Sequence, residues 1–109
     1  MVTKRIQKKL ILAIRDYISH LTKEGLSVHK VYLYGSQARG HAKKSSDVDI
    51  AIISPDFKND FDALQYLWVQ LRNRDIKNRL EPVGFTPKSF NPKTNPLALI
   101  IVNEGLEIH

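Results

Sequence analysis

The sequence predicts an α/β (α+β) fold in which a small mixed sheet is flanked by helices. Three observations support this: an amphipathic helix opens the chain, three short extended segments follow it, and helical patterns lie between and after those segments. The length of 109 residues is near the usual size of one domain, and no linker, repeat or low-complexity tract divides the chain. We therefore predict a single domain over residues 1–109.

The first helix is predicted from Thr3 to Lys23, because apolar residues recur there at three- and four-residue intervals. Gly25 suits the left-handed position after a helix end. The following segment, Val28 to Tyr34, is rich in β-branched and aromatic residues and is predicted to be a strand that ends at Gly35-Ser36. A short helix can then begin at Gln37.

Asp47 to Ile53 is predicted to be a second strand, and its alternation separates two kinds of side chain. One face carries the apolar Val48, Ile50 and Ile52, and the other carries Asp47, Asp49 and Ala51. Asn59 or Asp60 can cap the next helix, whose apolar residues are predicted to form one core-facing stripe that includes Trp68.

The last two elements are marked by prolines. A third extended segment, Asn78 to Phe85, contains Pro82, which cannot donate to a ladder and therefore predicts an edge strand. Asn95 and Pro96 then predict the start of a final helix that ends at Gly105. Its residues are apolar on every face, so we expect it either to be buried all round or to form an interface.

Composition excludes several classes of function. The absence of cysteine excludes disulfide frameworks and thiolate metal sites and is compatible with a reducing compartment, so we predict a cytoplasmic protein. No apolar run is long enough for a signal peptide or a membrane span. The formal charge of +6 favours a polyanionic ligand, such as a nucleotide, RNA or an acidic protein surface.

The chemistry is concentrated between Gly35 and Asp49. Gly35 lets the backbone approach a ligand closely, and Ser36 offers a hydroxyl and an amide at a helix start, which together favour a phosphate. Asp47 and Asp49 project side by side from one strand, with Cα atoms roughly 6.5 Å apart. Two carboxylates so close repel each other unless a cation lies between them, which favours a metal site. The alternative is that Asp47 and Asp49 simply face solvent and have no binding role.

Hard oxygen ligands beside a phosphate cradle predict Mg²⁺ or Mn²⁺ rather than zinc. Two such ions can stabilise both the attacking and the leaving oxygen of a phosphoryl displacement, but a further carboxylate is then needed. Glu81 is the best candidate because it lies on the polar side of the next predicted strand. Asp47, Asp49 and Glu81 are therefore the predicted metal ligands.

These residues resemble the nucleotidyltransferase superfamily that includes DNA polymerase β. Its signature is Gly-Ser, a spacer of about ten residues and Asp-x-Asp, and here Gly35-Ser36 precedes Asp47-Val48-Asp49. The longer form, with Arg39 and Gly40, is similar to the minimal prokaryotic members of antitoxin type. The resemblance implies a palm-like fold and a metal-dependent transfer of a nucleoside monophosphate, such as AMP from ATP, with release of pyrophosphate.

The resemblance also assigns roles to single residues. Asp47 and Asp49 would bind two metal ions, and the third carboxylate would fall on the strand of Glu81, where many members carry Asp. Gly35 and Ser36 would hold the triphosphate of ATP or another nucleoside triphosphate. Arg39 would either assist the nucleotide or tie the motif to the fold.

Partners follow from the same resemblance. Many minimal members act as the antitoxin beside a small helical toxin, and some add AMP to that toxin. An inactive antitoxin that neutralises a helical partner by direct binding is the alternative, and the apolar C-terminal helix could serve that interface or a homo-oligomer. RNA binding through the basic stretch Lys4 to Lys9 is a third possibility, without a recognised nucleic-acid motif.

Overall fold

The computed structural model describes residues 8–40 and 46–109, and it confirms the predicted α/β class. In chain order the described elements are α1 (Lys8–Lys23), β1 (Lys30–Tyr34), α2 (Ser36–Arg39), β2 (Val48–Ile53), α3 (Asp60–Val69), α4 (Asn73–Lys77), β3 (Leu80–Phe85), α5 (Pro96–Glu104) and β4 (Leu106–Glu107). Most of the predicted basic stretch, Lys4 to Lys9, precedes the described residues. No helix in the described part is long and apolar enough to cross a membrane.

The strands form one mixed sheet with the order β3-β2-β1-β4. β1 is antiparallel to both β2 and β4, whereas β2 and β3 are parallel because α3 and α4 carry the chain back between them. β3 lies at one edge of the sheet, as Pro82 predicts. This pairing places the strand of Glu81 directly beside the strand of Asp49.

One face of the sheet packs against α1 and α3. The apolar residues of β2 that share this face are Val48, Ile50 and Ile52, in agreement with the predicted alternation. Tyr17 of α1 is fully buried and donates its hydroxyl to the Leu67 carbonyl oxygen of α3 at 2.7 Å, so the two helices are joined by a buried hydrogen bond. This layer holds the larger of the two apolar cores.

The opposite face packs against α5 and the segment before it. Its buried residues are Tyr34, Ala51, Ile53, Phe85 and Ile101, with Tyr32 stacked on Phe90 at a centroid distance of 5.4 Å. Asp49 lies on this face, two residues before Ala51, because side chains alternate along β2. On this face of β2, Asp49 therefore lies next to the smaller core, which contains Ala51 and Ile53.

The predicted core position of Trp68 is wrong. Its side chain is 48% exposed, and Phe61 and Leu64 of the same predicted stripe are also exposed. Leu67 of the same stripe is buried as predicted, and Ala63 is buried beside it, because Gly84 of β3 leaves room for only a close contact: a Cβ at Gly84 would lie 2.6 Å from the Ala63 Cβ. Trp68 lies over the edge strand and donates its indole N–H to the Pro82 carbonyl oxygen at 2.9 Å.

The predicted limits of the last helix are confirmed, and of the two alternatives predicted for its apolar faces, burial on all sides is wrong. The Asn95 side chain accepts hydrogen bonds from the Leu97 and Ala98 amides, and Pro96 is the first helical residue. Only one stripe of α5, with Ala98 and Ile101, is buried. The outer side chains Leu99, Ile100 and Val102 are each about half exposed.

Candidate active site

Two carboxylates of the predicted site lie on neighbouring strands at the same level of the sheet. Asp49 of β2 and Glu81 of β3 are paired residues in the parallel register. Paired residues on adjacent strands project from the same face, so the two side chains are neighbours. Asp47 precedes β2 by one residue and Asp49 by two, so it extends the same acidic row, which we call the acidic cluster: Asp47, Asp49 and Glu81.

The Gly35-Ser36 turn lies against this cluster. β1 ends at Tyr34, which is the antiparallel partner of Asp49, and the chain then turns through Gly35 with φ 75° and ψ −156°. A Cβ at Gly35 would overlap the Asp49 Oδ2 atom, so the absence of a side chain is what allows the turn to approach the carboxylate. Ser36 begins α2 immediately after this contact.

The acidic residues act on one another electrostatically. Burial is the main cause that raises the pKa of Asp49, and the charge of Asp47 raises it further. Burial also raises the pKa of Glu81, followed by a hydrogen bond with the Asp47 side chain and by the charges of Asp47 and Asp49. The pKa of Tyr34 rises to about 12 through burial and through the charges of Asp49 and Glu81. The cluster is therefore a local concentration of negative charge that attracts cations.

Arg39 connects the turn to the last helix. Its Nη1 lies 3.2 Å from Oε1 of Glu104, at the end of α5, and the Arg39 amide donates to the Gly35 carbonyl oxygen at 3.1 Å. The positive charge of Arg39 also lowers the pKa of Asp49, against the effect of burial. Of the two roles expected for Arg39, the contact with Glu104 supports the tie to the fold, and its field on Asp49 keeps it near the site.

Arg79 is a residue of the site that the sequence analysis missed. Its Nη2 lies 3.2 Å from Oδ1 of Asp47, and its charge lowers the pKa of Glu81. A signal was available in the sequence, because Arg79 lies two residues before Glu81 and so has the same parity along the extended segment. Its pairing with Asp47 depends on β2 and β3 being neighbours in the sheet. The alternation of side chains along one strand does not predict which strands are neighbours.

The donor set suits a hard divalent cation, although the ligands are not preassembled. Three carboxylates and no thiolate are the chemistry that Mg²⁺ and Mn²⁺ prefer. Among residues 8–40 and 46–109, however, no group of three or more acidic, histidine or cysteine side chains is arranged closely enough to hold a metal ion as it stands. Asp47 is engaged by Arg79 in this arrangement. The Asp47 carboxylate is therefore shared between this ion pair and the acidic cluster.

Part of the predicted spacer falls outside the described residues. His41, which the sequence predicts near the proposed phosphates, and Lys43 and Lys44, which are predicted to lie in a solvated loop or to neutralise triphosphate charge, belong to that stretch. On its far side, the Ser46 carbonyl oxygen accepts a long hydrogen bond of 3.4 Å from Nε2 of Gln37 in α2. The two ends of the spacer thus meet beside the Gly35-Ser36 turn.

A family model described as a nucleotidyltransferase domain matches residues 12–102. No curated protein sequence matches the chain significantly. Among solved structures, a protein provisionally described as a nucleotidyltransferase from Sulfolobus solfataricus superposes with a TM-score of 0.65 and 15% identity, covering 91% of this chain and 78% of that chain.

Two toxin–antitoxin structures are also similar. One was crystallised with AMP-PNP (TM-score 0.58, 19% identity, 86% of this chain and 71% of that chain covered). The other is the tri-AMPylated HEPN toxin of Shewanella oneidensis in complex with its MNT antitoxin (TM-score 0.57, 17% identity, 92% and 71% covered). At such identities these likenesses confirm the fold. The family model spans most of the chain, and the protein therefore belongs to the nucleotidyltransferase family of enzymes.

Proposed function

We propose that this enzyme transfers AMP from ATP to a hydroxyl group of a small helical partner protein of toxin type. The observation that carries the proposal is the in-register pair Asp49 and Glu81, beside Asp47 and against the Gly35-Ser36 turn. Similarity to complexes of a toxin with its antitoxin, one of them AMPylated, supports the choice of nucleotide and acceptor. ATP as donor also agrees with the cytoplasmic location predicted from the sequence.

In this mechanism the chain supplies positioning and charge. Asp47, Asp49 and Glu81 would hold two Mg²⁺ or Mn²⁺ ions, which when bound neutralise phosphate charge and favour loss of the acceptor proton. Gly35 allows the triphosphate to approach the backbone, and Ser36 donates its hydroxyl to a phosphate oxygen. Most of the catalysis of phosphoryl transfer comes from such orientation and electrostatic stabilisation.

The reaction forms one bond and breaks one. The acceptor oxygen attacks the α-phosphorus of ATP. The bond between that phosphorus and the oxygen shared with the β-phosphorus breaks, and pyrophosphate leaves with the electron pair. The acceptor proton passes to a carboxylate or to water.

The test is transfer of label from α-labelled ATP to a co-purified helical partner in the presence of Mg²⁺. Asp49→Asn is expected to abolish labelling, whereas Glu107→Gln, which changes an exposed carboxylate on β4, should label normally. Equal labelling by the Asp49→Asn variant would remove the proposed role of the cluster. A search for the acceptor begins with the product of a neighbouring gene.

A second candidate, neutralisation by binding alone, is favoured by the outer face of α5. Leu99, Ile100 and Val102 are exposed apolar side chains of α5, the helix whose last residue, Glu104, pairs with Arg39. This interpretation predicts a tight complex without nucleotide that Leu99→Asp or Val102→Asp disrupts. If both variants keep the partner and the oligomeric state of the wild type, α5 is not the interface with a partner or with a second copy.

A further inference from the structure

Arg79 occupies an unusual backbone position beside the acidic cluster. Its φ of 64° is the only positive value recorded for a non-glycine residue in the described part of the chain. Glycine or asparagine adopts this left-handed conformation with less strain than arginine. The backbone at this point is fixed on both sides: the Arg79 amide donates to the Ile76 carbonyl oxygen, and its carbonyl oxygen accepts from the Val48 amide, each at 2.9 Å.

This backbone position brings the guanidinium to Asp47. The hydrogen bond to Val48 places Arg79 next to the residue that follows Asp47, and the side chains meet at 3.2 Å. Both side chains are about half exposed, at 51% and 46%. An ion pair with that exposure stabilises a folded protein little, so stability alone does not explain the arginine at a strained position.

The contact bears directly on cation binding. Oδ1 of Asp47, which contacts Arg79, is one of the two oxygens through which this carboxylate could bind a metal ion. The guanidinium also places its positive charge within the field of Glu81, where it lowers the pKa. A cation that binds the acidic cluster is therefore repelled by the Arg79 guanidinium. Both oxygens of Asp47 become available to the cation only when the contact with Arg79 is broken.

We propose that Arg79 is a positioning residue that competes with a divalent cation for the Asp47 carboxylate and so sets the cation affinity of the acidic cluster. The inference rests on the proposed function, in which the cluster holds divalent metal ions. It concerns a residue outside the Gly-Ser and Asp-x-Asp motif.

The experiment measures Mn²⁺ binding to the whole chain by electron paramagnetic resonance of the free ion, at about 50 mM salt. Arg79→Gln is expected to bind Mn²⁺ roughly two- to fivefold more tightly than the wild type, the size expected for loss of one exposed ion pair. The gain should shrink at 0.5 M salt, where charge interactions at the surface are screened. Arg79→Asn, which suits the left-handed backbone, provides a second variant if Arg79→Gln folds poorly.

Arg74→Gln is the matched control. It removes the same charge from an exposed arginine of α4 that contacts Asp16 at 3.5 Å, so its Mn²⁺ affinity should equal that of the wild type. Unchanged or weaker binding by the folded Arg79 variants would overturn the inference. Asp49→Asn separates the two proposals: if it binds Mn²⁺ normally the metal site itself is wrong, and if it loses binding while Arg79→Gln gains nothing only the competition is wrong.

Discussion

Asp49 and Glu81 are paired across the parallel strands β2 and β3, and both project from the face of the sheet that carries Tyr34. Asp47 lies two residues before Asp49, so three carboxylates are held near one another. Their mutual repulsion opposes folding rather than stabilising the protein. Charged groups whose environments oppose their ionisation are typical of functional sites. The following predictions test this arrangement and the packing that supports it.

Removal of one carboxylate should separate activity from stability. Asp49→Asn and Glu81→Gln are each expected to lower AMP transfer roughly 100-fold or more, because charge stabilisation of the transferring phosphoryl group is lost. Each should leave the free energy of unfolding in EDTA equal to or about 0.5–1 kcal/mol above that of the wild type, because like-charge repulsion is relieved. Urea denaturation and label transfer give the two quantities, and the same measurements on Glu107→Gln should match the wild type.

A side chain at Gly35 should displace the Asp49 carboxylate. Gly35→Ala is expected to cost about 2–4 kcal/mol, from a left-handed backbone and the overlap of the new Cβ with Asp49 Oδ2, and to lower transfer activity. Gly25→Ala is the matched control, because Gly25 has φ 102° but a Cβ added there would meet no atom within 4 Å. It should cost about 1–2 kcal/mol through backbone strain alone and leave transfer unchanged. Equal effects of the two substitutions on stability and activity would contradict the contact between the turn and the cluster.

Stability without metal should fall as Glu81 ionises. The pKa of Glu81 is raised above its ordinary value of 4.5 in the folded protein, so its contribution to stability is fully present below that value and is lost as pH rises through the folded pKa. Urea unfolding in EDTA from pH 4 to pH 7 should therefore show the wild type losing stability relative to Glu81→Gln as pH increases. A difference that stays constant, or that changes in the opposite direction, would show that burial and the neighbouring carboxylates do not raise the pKa of Glu81.

Close packing of α3 on β3 should make Gly84 intolerant of a side chain. Gly84→Ala would place a Cβ 2.6 Å from the Ala63 Cβ and 2.9 Å from Cε2 of Phe57, and overpacking of this kind costs about 1–3 kcal/mol. Ala63→Gly also destabilises the protein, because glycine weakens a helix interior by about 1 kcal/mol. In the double variant the losses should be less than additive by about 1 kcal/mol or more, as expected for directly contacting residues. Additive losses of stability in the double variant would contradict the close contact between Gly84 and Ala63.

The sequence predicted three strands of the sheet and the position of the candidate site on them because both depend on local patterns. Alternation through Val48 and Asp49 separates the two faces of β2, and the Gly35-Ser36 motif precedes it at a fixed spacing. Pro82 indicated the edge strand correctly. Caps gave the bounds of α5, since Asn95 and Pro96 satisfy the requirements of a helix start without help from the rest of the fold.

The missed features depend on contacts between distant residues. Trp68 belongs to an apolar stripe by spacing, but the packing of Ala63 against Gly84 decides which side of α3 is buried. α4 is the exception, because its short turn is held by a local contact: the buried Asp75 side chain accepts from the Arg72 amide at 2.9 Å. β4 exists only through its pairing with β1. The role of Arg79 likewise required knowledge of which strands are adjacent.

The hydrogen bond from Trp68 to Pro82 also affects how the molecule behaves in concentrated solution. An edge strand is a template for the strand of another molecule when its amides and carbonyls are unpaired. At the middle of β3, Pro82 has no amide hydrogen to offer, and its carbonyl oxygen is engaged by the Trp68 indole. The half-exposed indole of Trp68 thus disfavours the pairing of β3 with a strand of another molecule at this position.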